Sequence, residues 1–174
     1  MKGLIHIYCG DGKGKTTCSV GLTVRMAGHG KKVLFVQFLK GQPTGELRIL
    51  EALPNVTVAR GKPLTKFTFA MTPEEKKACL ENQNALFLQA VTAAKQGECD
   101  LLVLDEIMGA ISTGTLDWEP VLEFVTHKPE SLELVMTGRN PRPELVELAD
   151  YVSEIQKVKH PYDQGIGARE GVEK

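Results

Sequence analysis

The chain has 174 residues, enough for about one domain at roughly 150 residues each, and its 42% hydrophobic and 25% charged content excludes a disordered or collagen-like protein. With 21 Lys+Arg against 22 Asp+Glu, the formal net charge of −1 leaves no overall basic field for nucleic acid or an anionic membrane surface, so any anion site must be local. No run approaches the ~18 apolar residues of a spanning helix and no basic, apolar and cleavable leader opens the chain, which makes a cytoplasmic location without membrane contact the expectation.

In chain order, residues 4–9 (LIHIYC) form a short apolar, partly β-branched run ending at a glycine-rich turn, the pattern of a buried strand. A helix follows over 16–27 with Gly28 as its stop, then a second buried strand over 33–38 (VLFVQF). Residues 40–45 and 60–71 look irregular, and such segments in α/β domains often handle ligands. Thr72-Pro73-Glu74-Glu75 is a capping box with Pro at the first helical position, predicting a helix to about Gln96 that Gly97 stops. Residues 101–104 (LLVL), 132–136 (LELVM) and 151–155 (YVSEI) read as strands, with helices near 118–127 and 143–149, the second opened by Pro143. The tail from Lys157 is irregular again.

This β-α alternation predicts a single domain over 1–174, with a parallel sheet covered by helices on both faces. Cys9, Cys18, Cys79 and Cys99 form no CxxC pair or Cys/His cluster, so they read as reduced, mostly packing thiols rather than a zinc site or disulfide framework.

The turn after the first strand reads Gly10-Asp11-Gly12-Lys13-Gly14-Lys15-Thr16-Thr17 and leads into a helix, the context a P-loop requires. Its glycines let backbone N–H groups close on phosphate oxygens, Lys15 adds a positive charge, and the Thr16 hydroxyl suits the magnesium ion of a triphosphate. Cys9 stands where the usual pattern has its first glycine. A glycine-rich turn that binds nothing is the plainer alternative, and Lys13 has its own as a solvated loop charge. Lys15, taken as an exposed loop lysine, is expected to matter little for stability. The fold class that follows is a three-layer, parallel-sheet, P-loop NTPase-like (RecA-like) α/β fold.

Asp105-Glu106 follows LLVL at the C-terminal edge of the sheet, where open α/β folds bind ligands, in a Walker-B-like arrangement. One carboxylate can hold magnesium while the other orients its surroundings; which does which is open, and both could instead be helix caps.

Together, GDGKGKTT (10–17), GHGKKVLFVQFLKG (28–41) with Gly45-Glu46, FTF (67–69), VLDEI (103–107), TGRN (137–140), LADYVSE (148–154) and KHPYDQGIGAREGVE (159–173) resemble the P-loop ATP:corrinoid adenosyltransferases over nearly the whole chain. That family lacks the first Walker glycine as well. The resemblance implies transfer of the 5′-deoxyadenosyl group of ATP to a cob(I)alamin or cob(I)yrinic acid-type corrinoid, with triphosphate released. It implies that Lys13, Lys15 and the loop N–H groups hold the triphosphate, with Mg²⁺ bound by Thr16 and Glu106 and with Asp105 beside them. Arg25 and Arg139 follow as ATP contacts through bidentate guanidinium pairing, although a helix arginine such as Arg25 is equally a solvated residue.

Phe67 and Phe69 stand where the family has a Phe-x-Trp pair, implying an apolar wall on the corrin's lower face that excludes an axial ligand; from the residues alone, core packing is the simpler reading. The tail with Lys159, His160, Tyr162 and Asp163 is implied to close over the site. Longer members carry an arm before the first strand, so its contribution is expected to be missing here or supplied otherwise. The resemblance further implies a homodimer and a reduced flavodoxin or flavin as electron donor. Two other functions fit the motifs alone: a P-loop kinase or ATPase acting on another small acceptor, and a non-catalytic nucleotide-binding regulatory module.

Overall fold

Six short strands make one sheet: β1 (Ile5–Cys9), β2 (Val33–Gln37), β3 (Val56–Arg60), β4 (Leu101–Asp105), β5 (Glu133–Thr137) and β6 (Tyr151–Glu154), in the order β3-β2-β4-β5-β1-β6. Every neighbouring pair is parallel. The helices between them are α1 (Lys15–Gly28), α2 (Gly45–Ala52), α3 (Pro73–Lys95), α4 (Ile107–Ser112), α5 (Trp118–Thr126) and α6 (Pro143–Leu148). This is a computed structural model, and it describes residues 2–41, 44–63, 66 and 68–173. The architecture is the α/β fold expected, a parallel sheet flanked by helices and P-loop NTPase-like.

Each strand presents alternate side chains to opposite faces, so β4, buried at all five positions, feeds two cores at once. Leu101 and Val103 pack with Phe35, Val135 and the inner side of α1 (Val20, Met26). Leu102 and Leu104 point the other way, into a larger core with Phe87 and Ala90 of α3, Phe124 of α5 and Met136 of β5. Each fully buried leucine contributes about 1.5–3 kcal/mol through removal from water. Truncating Leu102 or Leu104 to Ala costs about 2–5 kcal/mol, because a close-packed core only partly refills the hole.

The capping box forms as its spacing requires: Thr72 Oγ1 accepts from Glu75 N at 3.2 Å and the Glu75 carboxylate accepts from Thr72 N at 2.8 Å. The helix it opens ends at Lys95, and Gly97 turns the chain at φ 71°.

Three elements escape the sequence pattern. The eight residues of α2 and six of α4 are too short to show a clear helical period, and β3 is a partly exposed edge strand whose VTVAR is broken by Thr57 and ends on Arg60, so it forms no continuous apolar run. One expectation needs correcting. The segment 60–71 is not wholly irregular, since Arg60 closes β3 and Thr68–Ala70 form a 3-10 turn. β6 is a strand as expected, and it is exposed throughout at the sheet edge, where it pairs only with β1.

Candidate active site

The C-terminal ends of β1, β2, β4 and β5 converge on one cavity of about 600 Å³. Between β1 and α1 the loop must run against the chain that continues β6: Gly12 N donates to Ile155 O at 2.7 Å and Ile155 N donates to Cys9 O at 2.8 Å. Glycine is required here for space. A Cβ on Gly10, which holds φ 97°, would lie 2.5 Å from Ile155 O, and one on Gly12 would lie 2.7 Å from the same oxygen.

Lys15 opens α1 and is buried. Its ammonium donates to Gly10 O at 2.7 Å and Gly12 O at 2.8 Å, tying both sides of the loop together. Burial lowers its pKa, and the charge of Glu106 opposes that shift. The expectation of an exposed loop lysine is therefore corrected.

The two carboxylates after β4 have different surroundings. Asp105 is wholly enclosed, accepting from Thr137 Oγ1 at 2.8 Å, Gln37 Nε2 at 3.2 Å and Lys40 Nζ at 3.0 Å. Glu106 lines the cavity, and burial, reinforced by the charge of Asp105, raises its pKa. Its backbone is left-handed at φ 63° and its N–H donates to Thr137 Oγ1 at 2.9 Å. Leu39 (φ 58°), Glu106 (φ 63°) and Asn140 (φ 51°) are the non-glycine residues in this region among those described, and they stand after β2, β4 and β5, on the sheet edge where the cavity lies. Such conformations cost about 1–3 kcal/mol each and persist where surrounding structure enforces them, typically around sites.

Of the residues singled out from sequence, Asp11, Gly12, Lys13, Gly14, Lys15, Thr16, Thr17, Glu106 and Arg139 line the cavity together. Arg139 sits at its exposed rim, its Nε 3.6 Å from Asp11 Oδ1. Gly10 contributes through its carbonyl to Lys15, and Asp105 lies behind the wall. Arg25 does not join them: it is exposed in the last turn of α1, whose 14 residues carry it about 15 Å along the axis from Lys15. Phe67 lies outside the described residues. Phe69 is 83% exposed, so it is not the core residue that composition alone suggested. The tail reaches the cavity through His160, Val172 and Glu173.

Sequence reasoning missed Lys40 and Thr137. Lys40 is three residues beyond β2 in a segment read as irregular, and a lone lysine there carries no spacing signal. Thr137 stood just past the strand expected at 132–136, in the TGRN segment, and its role appears only once β5 is seen to lie between β1 and β4.

Compared with known proteins, residues 1–173 match the family model described as ATP:corrinoid adenosyltransferase BtuR/CobO/CobP. The chain belongs to this family. The corrinoid adenosyltransferase of Escherichia coli (strain K12) is 35% identical to it over 99% of this chain and 86% of its own length. The corrinoid adenosyltransferase CobA of Salmonella typhimurium is 34% identical over 99% and 86%, and that of Pseudomonas aeruginosa 32% over 99% and 84%. Among the described residues of this adenosyltransferase, no helix is long and apolar enough to cross a membrane.

Proposed function

We propose that this chain carries out the reaction of its family, transfer of the 5′-deoxyadenosyl group of ATP to the cobalt of a reduced corrinoid, and that the cavity over Gly10–Thr17 holds the triphosphate. The observation that carries this assignment is the meeting of Lys13, Lys15, Thr16 and Glu106 in one cavity at the start of α1. The first turn of a 14-residue helix offers unpaired N–H groups and the positive end of its dipole, both suited to phosphate oxygens.

The chemistry is a displacement at carbon. The cobalt(I) electron pair forms the bond to ribose C5′, the C5′–O bond breaks, and its electron pair leaves on the triphosphate oxygen. No proton moves, which accords with a loop that needs no general base beside it. The chain's share is to orient the ribose carbon and to stabilise charge on the leaving oxygen, and a fixed cation in a partly dry cavity does this without reorganising. Lys15 is held for that task by two carbonyls, while Lys13 and Arg139 approach from the more open side.

The residues also fit a magnesium ion accompanying ATP, because the Thr16 hydroxyl and Glu106 carboxylate are hard oxygen donors on the same wall and such ions take one or two protein ligands beside phosphates. When bound, the ion would neutralise triphosphate charge. The enclosed Asp105, already accepting from three donors, is better suited to orienting its neighbours than to ligation.

Phe69, left largely to solvent, suits an apolar corrin contact, and the family likeness assigns Phe67 the same role. The family likeness further supports a homodimer, a cytoplasmic location and reduced flavodoxin or flavin as electron donor. The test is anaerobic incubation with Mg-ATP and chemically reduced cob(I)alamin, followed by the corrinoid spectrum. Conversion to adenosylcobalamin that requires both ATP and protein is expected; an unchanged corrinoid at saturating ATP contradicts the assignment.

A further inference from the structure

Lys40 has no part in the motif that drew attention to the loop, yet it lines the cavity beside Thr16. It donates to Asp105 Oδ2 at 3.0 Å and to Thr16 Oγ1 at 3.4 Å, and its side chain is 27% exposed where it lines the cavity. The backbone fixes its position from both sides. Leu39 before it is left-handed, and Lys40 O accepts from an Arg60 guanidinium nitrogen at 2.8 Å.

An ammonium has three donors. Asp105 and Thr16 take two, which leaves one N–H for a group inside the cavity. Asp105 is fully enclosed, and a buried carboxylate that loses its cation pays the cost of an uncompensated charge, so the pair strongly resists separation. The arrangement therefore keeps a flexible lysine from swinging into solvent and stations its charge beside the hydroxyl of the second residue of α1.

We propose that Lys40 is a further catalytic cation, contacting the leaving triphosphate alongside Lys15, and that Asp105 is the residue that positions it rather than a metal ligand. This rests on the assignment of the cavity to triphosphate. As the C5′–O bond breaks, the electron pair passes to the triphosphate oxygen, and a lysine already paired and oriented meets that charge with little reorganisation.

Inorganic tripolyphosphate is the probe, titrated calorimetrically against wild type, Lys40→Met, Lys40→Arg, Asp105→Asn and Lys15→Ala. Lys40→Met is expected to bind about tenfold more weakly, equivalent to about 1.4 kcal/mol, and Lys40→Arg to recover most of the loss. Asp105→Asn should weaken binding by a similar factor both with Mg²⁺ and with the metal chelated, as a positioning residue does. A defect in Asp105→Asn confined to Mg²⁺-containing buffer would mark it as a metal ligand and overturn its assigned role. Wild-type affinity in Lys40→Met beside lost affinity in Lys15→Ala would reduce Lys40 to a counter-ion of Asp105. Wild-type affinity in Lys15→Ala would instead refute the triphosphate cavity itself. Should Lys40→Met fail to fold, the Lys40→Met/Asp105→Asn pair removes both buried charges, and the same loss of tripolyphosphate affinity is required of it.

Discussion

Thr137 Oγ1 donates to Asp105 Oδ1 at 2.8 Å and itself accepts from the N–H of Glu106 at 2.9 Å. One side chain from β5 thereby fixes both acidic residues at the end of β4, including the left-handed turn that presents Glu106 to the cavity. Thr137→Val should cost about 1.5–3 kcal/mol in urea unfolding, since a hydrogen bond to a buried charge is lost. Adenosyl transfer should fall about 10- to 100-fold, the usual loss when the hydrogen-bonded support of a metal-site residue is removed, if Glu106 holds magnesium as proposed. Thr137→Ser should keep most of both, and a Val variant as active as wild type would show the clamp to be dispensable.

Lys15→Ala separates what the sequence conveyed about this residue from what the structure adds. Its place in GKGKTT already predicts loss of transfer, whereas its bonds to Gly10 O and Gly12 O predict a further stability loss of about 1–3 kcal/mol. Thermal denaturation beside an activity assay checks both; full stability in an inactive variant would mean that the ammonium holds substrate but not the loop.

The elements that were legible in advance are those with strong local signals: the apolar runs of β1, β2, β4 and β5, the Thr72 capping box and the glycine-rich loop. The missed ones had none. α2 and α4 are one or two turns long, and their helical state depends on packing Leu50 and Ile107 against the sheet. For the candidate site the same division holds. Loop residues close in sequence were readable from their spacing, whereas the Asp105–Thr137 and Asp105–Lys40 contacts join residues 32 and 65 apart, brought together by strand order alone. Arg25 shows the opposite limit: its sequence position said nothing of its distance, about 15 Å along the helix axis from Lys15, or of its absence from the cavity lining.

Two glycines of similar appearance should respond oppositely to alanine. Gly12→Ala puts a Cβ 2.7 Å from Ile155 O and 2.8 Å from Gln156 O, so the loop or the β6 extension must shift, with a loss of stability and of ATP binding. Gly21, inside α1 with nothing within 4 Å of its Cβ position, should gain about 0.5–1 kcal/mol as Ala through reduced unfolded-state entropy. Urea unfolding of the two variants side by side is the check, and equal effects of one sign would contradict the loop packing.

Burial, with smaller contributions from Asp100 and Glu98, pushes the Cys99 thiol up to about 11. Between pH 9 and that value the unfolded chain loses its thiol proton while the folded chain keeps it. The unfolded state then binds fewer protons, so stability falls as pH rises, by up to about 2–3 kcal/mol for this group. Cys99→Ala should flatten that portion of the stability profile relative to wild type, and parallel profiles from pH 8 to 11 would show that the thiol titrates normally.

The most direct test of displacement at carbon is ³¹P NMR of the phosphorus product formed anaerobically from Mg-ATP and cob(I)alamin. Inorganic triphosphate appearing in step with adenosylcobalamin is the predicted result. Orthophosphate or a phosphorylated acceptor, formed whether or not the corrinoid is present, would mean that the cavity directs cleavage at phosphorus and would contradict the assigned chemistry.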